Sequence, residues 1–166
     1  MSQTTIGKTY LKELEAEIPA TRKCLERIPM NVYKFKPHES SMEMGYLTLL
    51  VADIPRWIAC IIEQGEIDFA TDERFTPAVA EDVVKRFDDN VQRAGKALSN
   101  VQDDMLQELF SLKNSGQLLY SSPKLIQVEQ AINHMVHHRG QLTVYMRMNA
   151  IPIPSIYGPS ADERNF

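Results

Sequence analysis

Apolar residues recur at helical spacing along most of this chain. From Ile6, the positions Tyr10, Leu11, Leu14, Ile18, Leu25 and Ile28 form one stripe. Pro19 interrupts it and is expected to kink or divide the helix, and Pro29 closes it. Residues 30–38 read as a loop between Pro29 and Pro37, with Tyr33 and Phe35 folding back onto the core and His38 in a surface or capping role. Ser40-Ser41-Met42-Glu43 offers an S-x-x-E capping box for a second helix. Its apolar face is Leu47, Leu50, Val51, Ile54, Trp57, Ile58 and Ile61, with a kink expected at Pro55 and an end at Gly65. Residues 67–75 read as a linker whose Asp68, Asp72 and Glu73 form a solvated edge, not a cation site. Thr76-Pro77 gives a cap-then-proline start to a third helix, which turns Val79, Val83, Phe87, Val91, Ala94 and Leu98 inward. Met105, Leu106, Leu109 and Phe110 suggest a short helix, and 113–117 has turn character. Ser122-Pro123 repeats the cap-then-proline signal and opens a fourth helix reaching about Asn149. With no credible strand, the pattern predicts an all-α four-helix bundle, a single domain over 1–166 whose proline-rich tail, 151–166, packs on the bundle.

Length and composition agree with one globular domain: 166 residues, 43% hydrophobic and 24% charged, enough for a sizeable core. The net charge of −4 supplies no field for nucleic acid or an anionic membrane. No apolar run approaches the roughly 20 residues of a bilayer span, and no basic-then-apolar leader stands at the N-terminus, so a cytoplasmic location is expected. Cys24 and Cys60 lie apart on apolar helical patterns and read as small buried hydrophobes, not a disulfide.

Chemistry concentrates in one stretch. Three of the four histidines, His134, His137 and His138, crowd into the fourth helix. His134 and His138 are one turn apart on the same face, so both imidazoles can reach one metal ion if a third ligand comes from elsewhere. His137 lies about 60° to the side. Gln127, Gln130, His134, His138, Gln141 and Tyr145 fall within one arc, where a polar strip meets the core face, as a cavity lining would. Arg139 lies about 140° from His134 and is expected to pair with a carboxylate elsewhere. Neither cysteine has a histidine near it in sequence, and no Gly-rich phosphate loop occurs.

The run His134-x-x-x-His138-Arg139-Gly140-Gln141-Leu142, then Tyr145-Met146-Arg147, Ile153-Pro154 and Tyr157-Gly158-Pro159-Ser160-Ala161-Asp162, resembles the DinB family. Upstream, Lys36-Pro37-His38 with Ser41-Met42, and Val51-Ala52-Asp53-Ile54-Pro55-x-Trp57, fit the same pattern, so the resemblance covers nearly the whole chain. It implies an up-up-down-down four-helix bundle, often a homodimer, with a divalent metal such as Zn²⁺ or Ni²⁺ between helices. It also implies three histidine ligands, one from the second helix and two from the H-x-x-x-H-R-x-Q run. Characterised members include bacillithiol- and glutathione-type S-transferases and a mycothiol-dependent maleylpyruvate isomerase. DNA binding is not implied.

Carried over by position, His134 and His138 match the second and third ligands. Where the first histidine should stand this chain has Leu50, which cannot coordinate a metal. Asp53 and Tyr46 share its helix face, and Asp53 is the chemically better substitute, since a carboxylate with two imidazoles is a common ligand set. Two functions follow. In one, a metal on His134, His138 and a third group such as Asp53 supports thiol transfer to a small-molecule substrate from a low-molecular-weight thiol, or hydrolysis of such a substrate. In the other, the bundle has lost its metal and serves as a non-catalytic ligand-binding or structural dimer.

Overall fold

The computed structural model describes residues 5–164, so residues 1–4 and 165–166, including the last two of the expected tail, lie outside the described residues. Four helices carry the fold: α1 (Ile6–Glu26), α2 (Met44–Glu63), α3 (Ala80–Asn100) and α4 (Lys124–Met148). A three-stranded sheet joins them, formed by β1 (Glu66–Asp68), β2 (Leu109–Asn114) and β3 (Gln117–Pro123). Single 3-10 turns occupy Met30–Val32 and Met105–Gln107.

Cross-helix contacts fix the helix directions. Gly7 of α1 meets Leu98 of α3, and Arg22 bonds Asp88, so α1 and α3 run antiparallel. Asn90 donates to the Ala52 carbonyl and Arg93 to Glu63, so α2 and α3 run parallel. Lys124 reaches the Ile62 carbonyl while Asn149 lies against Met44, so α2 and α4 are antiparallel. The order is therefore up-down-down-up, which corrects the expected up-up-down-down. Parallel α2 and α3 require the chain to travel back along the bundle between them, and residues 64–79 make that crossover.

The sheet is the second correction. Residues expected to form a short helix instead make the 3-10 turn and then β2, which pairs antiparallel with β3 and parallel with β1. Phe110 and Leu112 alternate toward the interior. The connecting residues Ser115 and Gly116 have φ of 51° and 78°. Positive φ at both is what a tight two-residue hairpin of matching twist requires, and glycine supplies one of them without strain. Asp68, read earlier as a solvated edge, closes the arrangement. Its carboxylate accepts from the backbone N–H groups of Ala70, Ser115 and Gly116, clipping the crossover to the hairpin tip. Asp72 and Glu73 are ion-paired with Arg56 and Arg86.

Helix starts differ from the expected caps. The second helix begins at Met44 with Glu43 as an N-cap that makes no side-chain bond, so Ser40–Glu43 forms no capping box. The third begins at Ala80, where Asp82 accepts from Ala78 N and Val79 N, and Val79 is exposed. At the fourth, Pro123 ends β3 and Ser122 accepts from Gln127. Neither Pro19 nor Pro55 divides its helix. A cap is worth about 1 kcal/mol, whereas each fully buried Leu or Ile contributes about 1.5–3 kcal/mol. Helix α2 buries Leu47, Val51, Ile54, Ile58 and Ile61, so packing decides where it sits. That helix is also long and apolar enough to cross a membrane by length and composition, contrary to the sequence reading. Here most of it is buried in the bundle, and its Arg56 and Asp53 form an ion pair.

The described part of the tail lies against the bundle. Ile151 is buried, Arg27 pairs with Glu163, and Arg147 pairs with Asp162. Inside, Arg139 is 1% exposed and holds Glu17 at 2.6 Å. It also donates to Thr21 Oγ1 and to the hydroxyl of Tyr157 from the tail, which in turn donates to Glu17. The carboxylate partner expected for Arg139 is thus Glu17.

Candidate metal centre and adjoining pocket

On α4 the one-turn spacing brings the two histidines into contact: His134 Nε2 and His138 Nε2 are 2.7 Å apart. The other ring nitrogen of His138, Nδ1, lies 2.7 Å from Gln141 Oε1, one turn further along. An amide oxygen only accepts, so Nδ1 carries the proton and His138 Nε2 presents a lone pair. Its partner His134 Nε2–H then donates to that lone pair. Metal-ligating histidines are held in the same way, with the second nitrogen bonded to an oxygen acceptor. His138 is buried and His134 half-buried, while His137 is exposed with its ring edge-on to His138.

Burial, first, and then the neighbouring His138 and His137 hold the His134 pKa below its ordinary 6.5. Burial therefore favours the neutral form of His134. The unfolded chain binds this proton more readily than the folded one. The stability contributed by a neutral His134 is thus complete above about pH 6.5 and lost as pH falls toward its folded value. Thermal unfolding followed from pH 7.5 to 5 should show this decline, and His134→Gln should flatten it. An unchanged slope in the variant would remove His134 from the account.

The structure does not bring Asp53 to the pair. Its carboxylate accepts from Arg56 and Arg86 and from Asn90 Nδ2, at the α2–α3 contact. Among the described residues no group of three His, Cys, Asp or Glu side chains is placed to hold a metal ion. Leu50 is half-buried and two turns before Trp57 on one face of α2. Trp57 stands against His134, with ring centroids 5.8 Å apart. Since α2 and α4 are antiparallel, Leu50 lies level with His138 and Gln141. Two imidazole nitrogens converge here, and the position level with them on α2 is apolar. Tyr46 is exposed, and His38 accepts from Ser40 N in its loop. The cysteines are buried and free. Desolvation pushes the Cys24 thiol up to about 11 and raises Cys60, so neither is a ready nucleophile.

Beside His134 a cavity of about 400 Å³ opens between α2, α4 and the sheet. Trp57 and Ile61 form its α2 side, Gln127, Gln130, Ala131 and His134 its α4 side, and Ile67, Phe69, Phe110 and Leu112 the remainder. The indole N–H of Trp57 is buried without a hydrogen-bond partner among the described residues. The α4 arc was legible as a cavity lining. The wall from 67–69 and 110–112 was missed, although Phe110-x-Leu112 alternation before Ser115-Gly116 is a hairpin signal.

Comparison with known proteins places the fold. A DinB-like protein of Bacillus subtilis superposes with a TM-score of 0.70 at 19% identity, covering 95% of this chain and 99% of the other. Another, from Bacillus cereus, gives 0.67 at 22%, covering 89% and 95%. At these identities the likeness is one of fold. The uncharacterized protein YrdA of Bacillus subtilis is 53% identical over 32 residues, a stretch spanning 19% of each chain. The model of the DinB family matches residues 1–164. By that match the chain belongs to the DinB family.

Proposed function

We propose that His134, His138 and the adjoining pocket form a small-molecule site that holds a divalent metal, Zn²⁺ or Ni²⁺, through two imidazoles. The observation that carries this reading is the convergence of two Nε2 atoms with Gln141 fixing the tautomer of one, beside an open cavity. DinB proteins are generally metal-associated, which agrees. Bound there, the ion would supply Lewis acidity and lower the pKa of a coordinated water or thiol. The chain's own residues do the rest: Gln141 orients His138, Trp57 and the sheet exclude water from the pocket, and Gln127 and Gln130 offer amide groups to substrate. With both cysteines protonated and buried, a thiol reaction would use an external low-molecular-weight thiol. The reaction class is metal-assisted thiol transfer or hydrolysis, in the cytoplasm, by a chain that pairs with a second copy as many of its family do.

A second reading has its own support. The two histidines already satisfy each other, and the α2 position level with them is Leu50, so a metal-free binding protein accounts for the same contacts. Metal analysis of protein purified without an affinity tag separates the two. The first reading expects up to one Zn²⁺ or Ni²⁺ per chain, lost in His138→Ala. Protein that carries no metal and gains none on dialysis against either ion supports the second.

A further inference from the structure

The pocket beside His134 has walls of one kind. Trp57, Ile61, Ile67, Phe69, Phe110 and Leu112 are apolar, and none of the lining residues is Asp, Glu, Lys or Arg. Two cations near lining residues along the chain are already engaged. Arg56, next to Trp57, faces Asp53 and Asp72. Lys124, one turn before Gln127, faces Glu108 and the Ile62 carbonyl. A carboxylate or ammonium entering this space would lose its hydration and find no counter-ion, a cost that pairing alone can offset. Besides the His134 ring and the indole N–H of Trp57, the polar groups present are the side-chain amides of Gln127 and Gln130. Gln127 is 5% exposed and gives its N–H to Ser122, which leaves its oxygen to accept from a ligand. At about 400 Å³ the cavity is at the small end of ligand sites, with the apolar lining and few polar groups they usually have.

We propose that this pocket binds the neutral, apolar body of the substrate, an aromatic or branched aliphatic group bearing an amide or hydroxyl donor, and excludes carboxylates and amines. This rests on the proposed function for where the reacting atom lies, at His134, but not for the binding itself. It divides the labour of the site: the charged parts of any thiol co-substrate stay outside, and the neutral partner fills the pocket.

Trp57 is the only tryptophan in the chain and stands in the pocket wall, so its fluorescence reports occupancy. Phenylacetamide, phenylacetate and phenethylamine share a ring and differ in charge at pH 7.5. Titrated into metal-stripped protein, phenylacetamide should bind at least tenfold more tightly than either ion. Ligand-observed NMR on the same samples covers a complex whose fluorescence happens not to change. Gln130 is exposed at the pocket and should accept a cation without loss of fold. In Gln130→Lys, phenylacetate should gain at least tenfold relative to the amide. Phe69→Ala, at a partly exposed edge, should weaken all three. Equal binding of amide and ions, or no binding of the amide by either measurement, overturns the proposal. Because these titrations use metal-free protein, they stand if the metal reading fails. Conversely, the metal analysis stands if they fail.

Discussion

Replacing Leu50 by His is expected to tighten Zn²⁺ binding by about 100-fold or more. A structural zinc site with four ligands is worth about 10–16 kcal/mol at neutral pH, or about 3 kcal/mol per ligand, and each 1.4 kcal/mol is a factor of ten. Leu50 is level with His138 across the α2–α4 contact, so the new imidazole enters on the right face. The loss of a half-buried leucine should cost about 1 kcal/mol of stability in the metal-free protein. Asp53→Asn is the control. With its oxygens committed to Arg56, Arg86 and Asn90, its loss should leave metal affinity unchanged and lower stability by about 1.5–3 kcal/mol. Titration calorimetry on the native chain and both variants reads all of this. A sharp fall in affinity in Asp53→Asn would make Asp53 the third ligand. Tight native binding that survives it and gains nothing from Leu50→His would dismiss the present description of the centre.

Arg139→Met is expected to destabilise the protein by about 3–5 kcal/mol, the usual cost of leaving one member of a buried ion pair without its partner. Glu17 would remain 9% exposed with only the Tyr157 hydroxyl as donor, and Thr21 would lose its guanidinium contact. For a chain of this size that corresponds to about 10 °C in Tm. Combining it with Glu17→Gln removes the stranded charge and should restore a large part of the loss. Thermal unfolding of both single variants and the double variant measures the coupling. If the effects simply add, Arg139 acts by packing alone and the ion pair contributes nothing.

The helices were legible because apolar positions recur along them at helical spacing. The starts of the last three were not. Ser40, Thr76 and Ser122 are good cap residues, yet the chain begins its helices at Met44, Ala80 and Lys124. Burial of Leu47 and Val83 is worth more than a hydroxyl bond. The sheet was hidden for a different reason. Leu118, Leu119 and Tyr120 of β3 are all exposed, so no alternation marks that strand, and β1 is three residues held by pairing distant in sequence. For the site, Gln141 and the histidines share one helix and so share one period. The side chains opposite them come from α2 and the sheet, whose positions no local pattern encodes. Asp53 shows the same limit. Its place on the α2 face pointed equally to a metal and to arginines, and the arginines lie elsewhere in the sequence.

The Asp68 clip gives the pocket two unlike sides. The α2 and α4 walls belong to the buried bundle and can separate only as the protein unfolds. The wall from β1 and β2 is pinned at its outer end by two exposed hydrogen bonds, from Ser115 N and Gly116 N to the Asp68 carboxylate, whose pKa is held below its ordinary value by a local bond from Ala70 N and by those two. Exposed hydrogen bonds of this sort open at far less free energy than a core. Amide exchange at 66–70 and 109–123 therefore reports entry to the pocket, and exchange in α2 and α4 reports the survival of the fold, on two separate clocks.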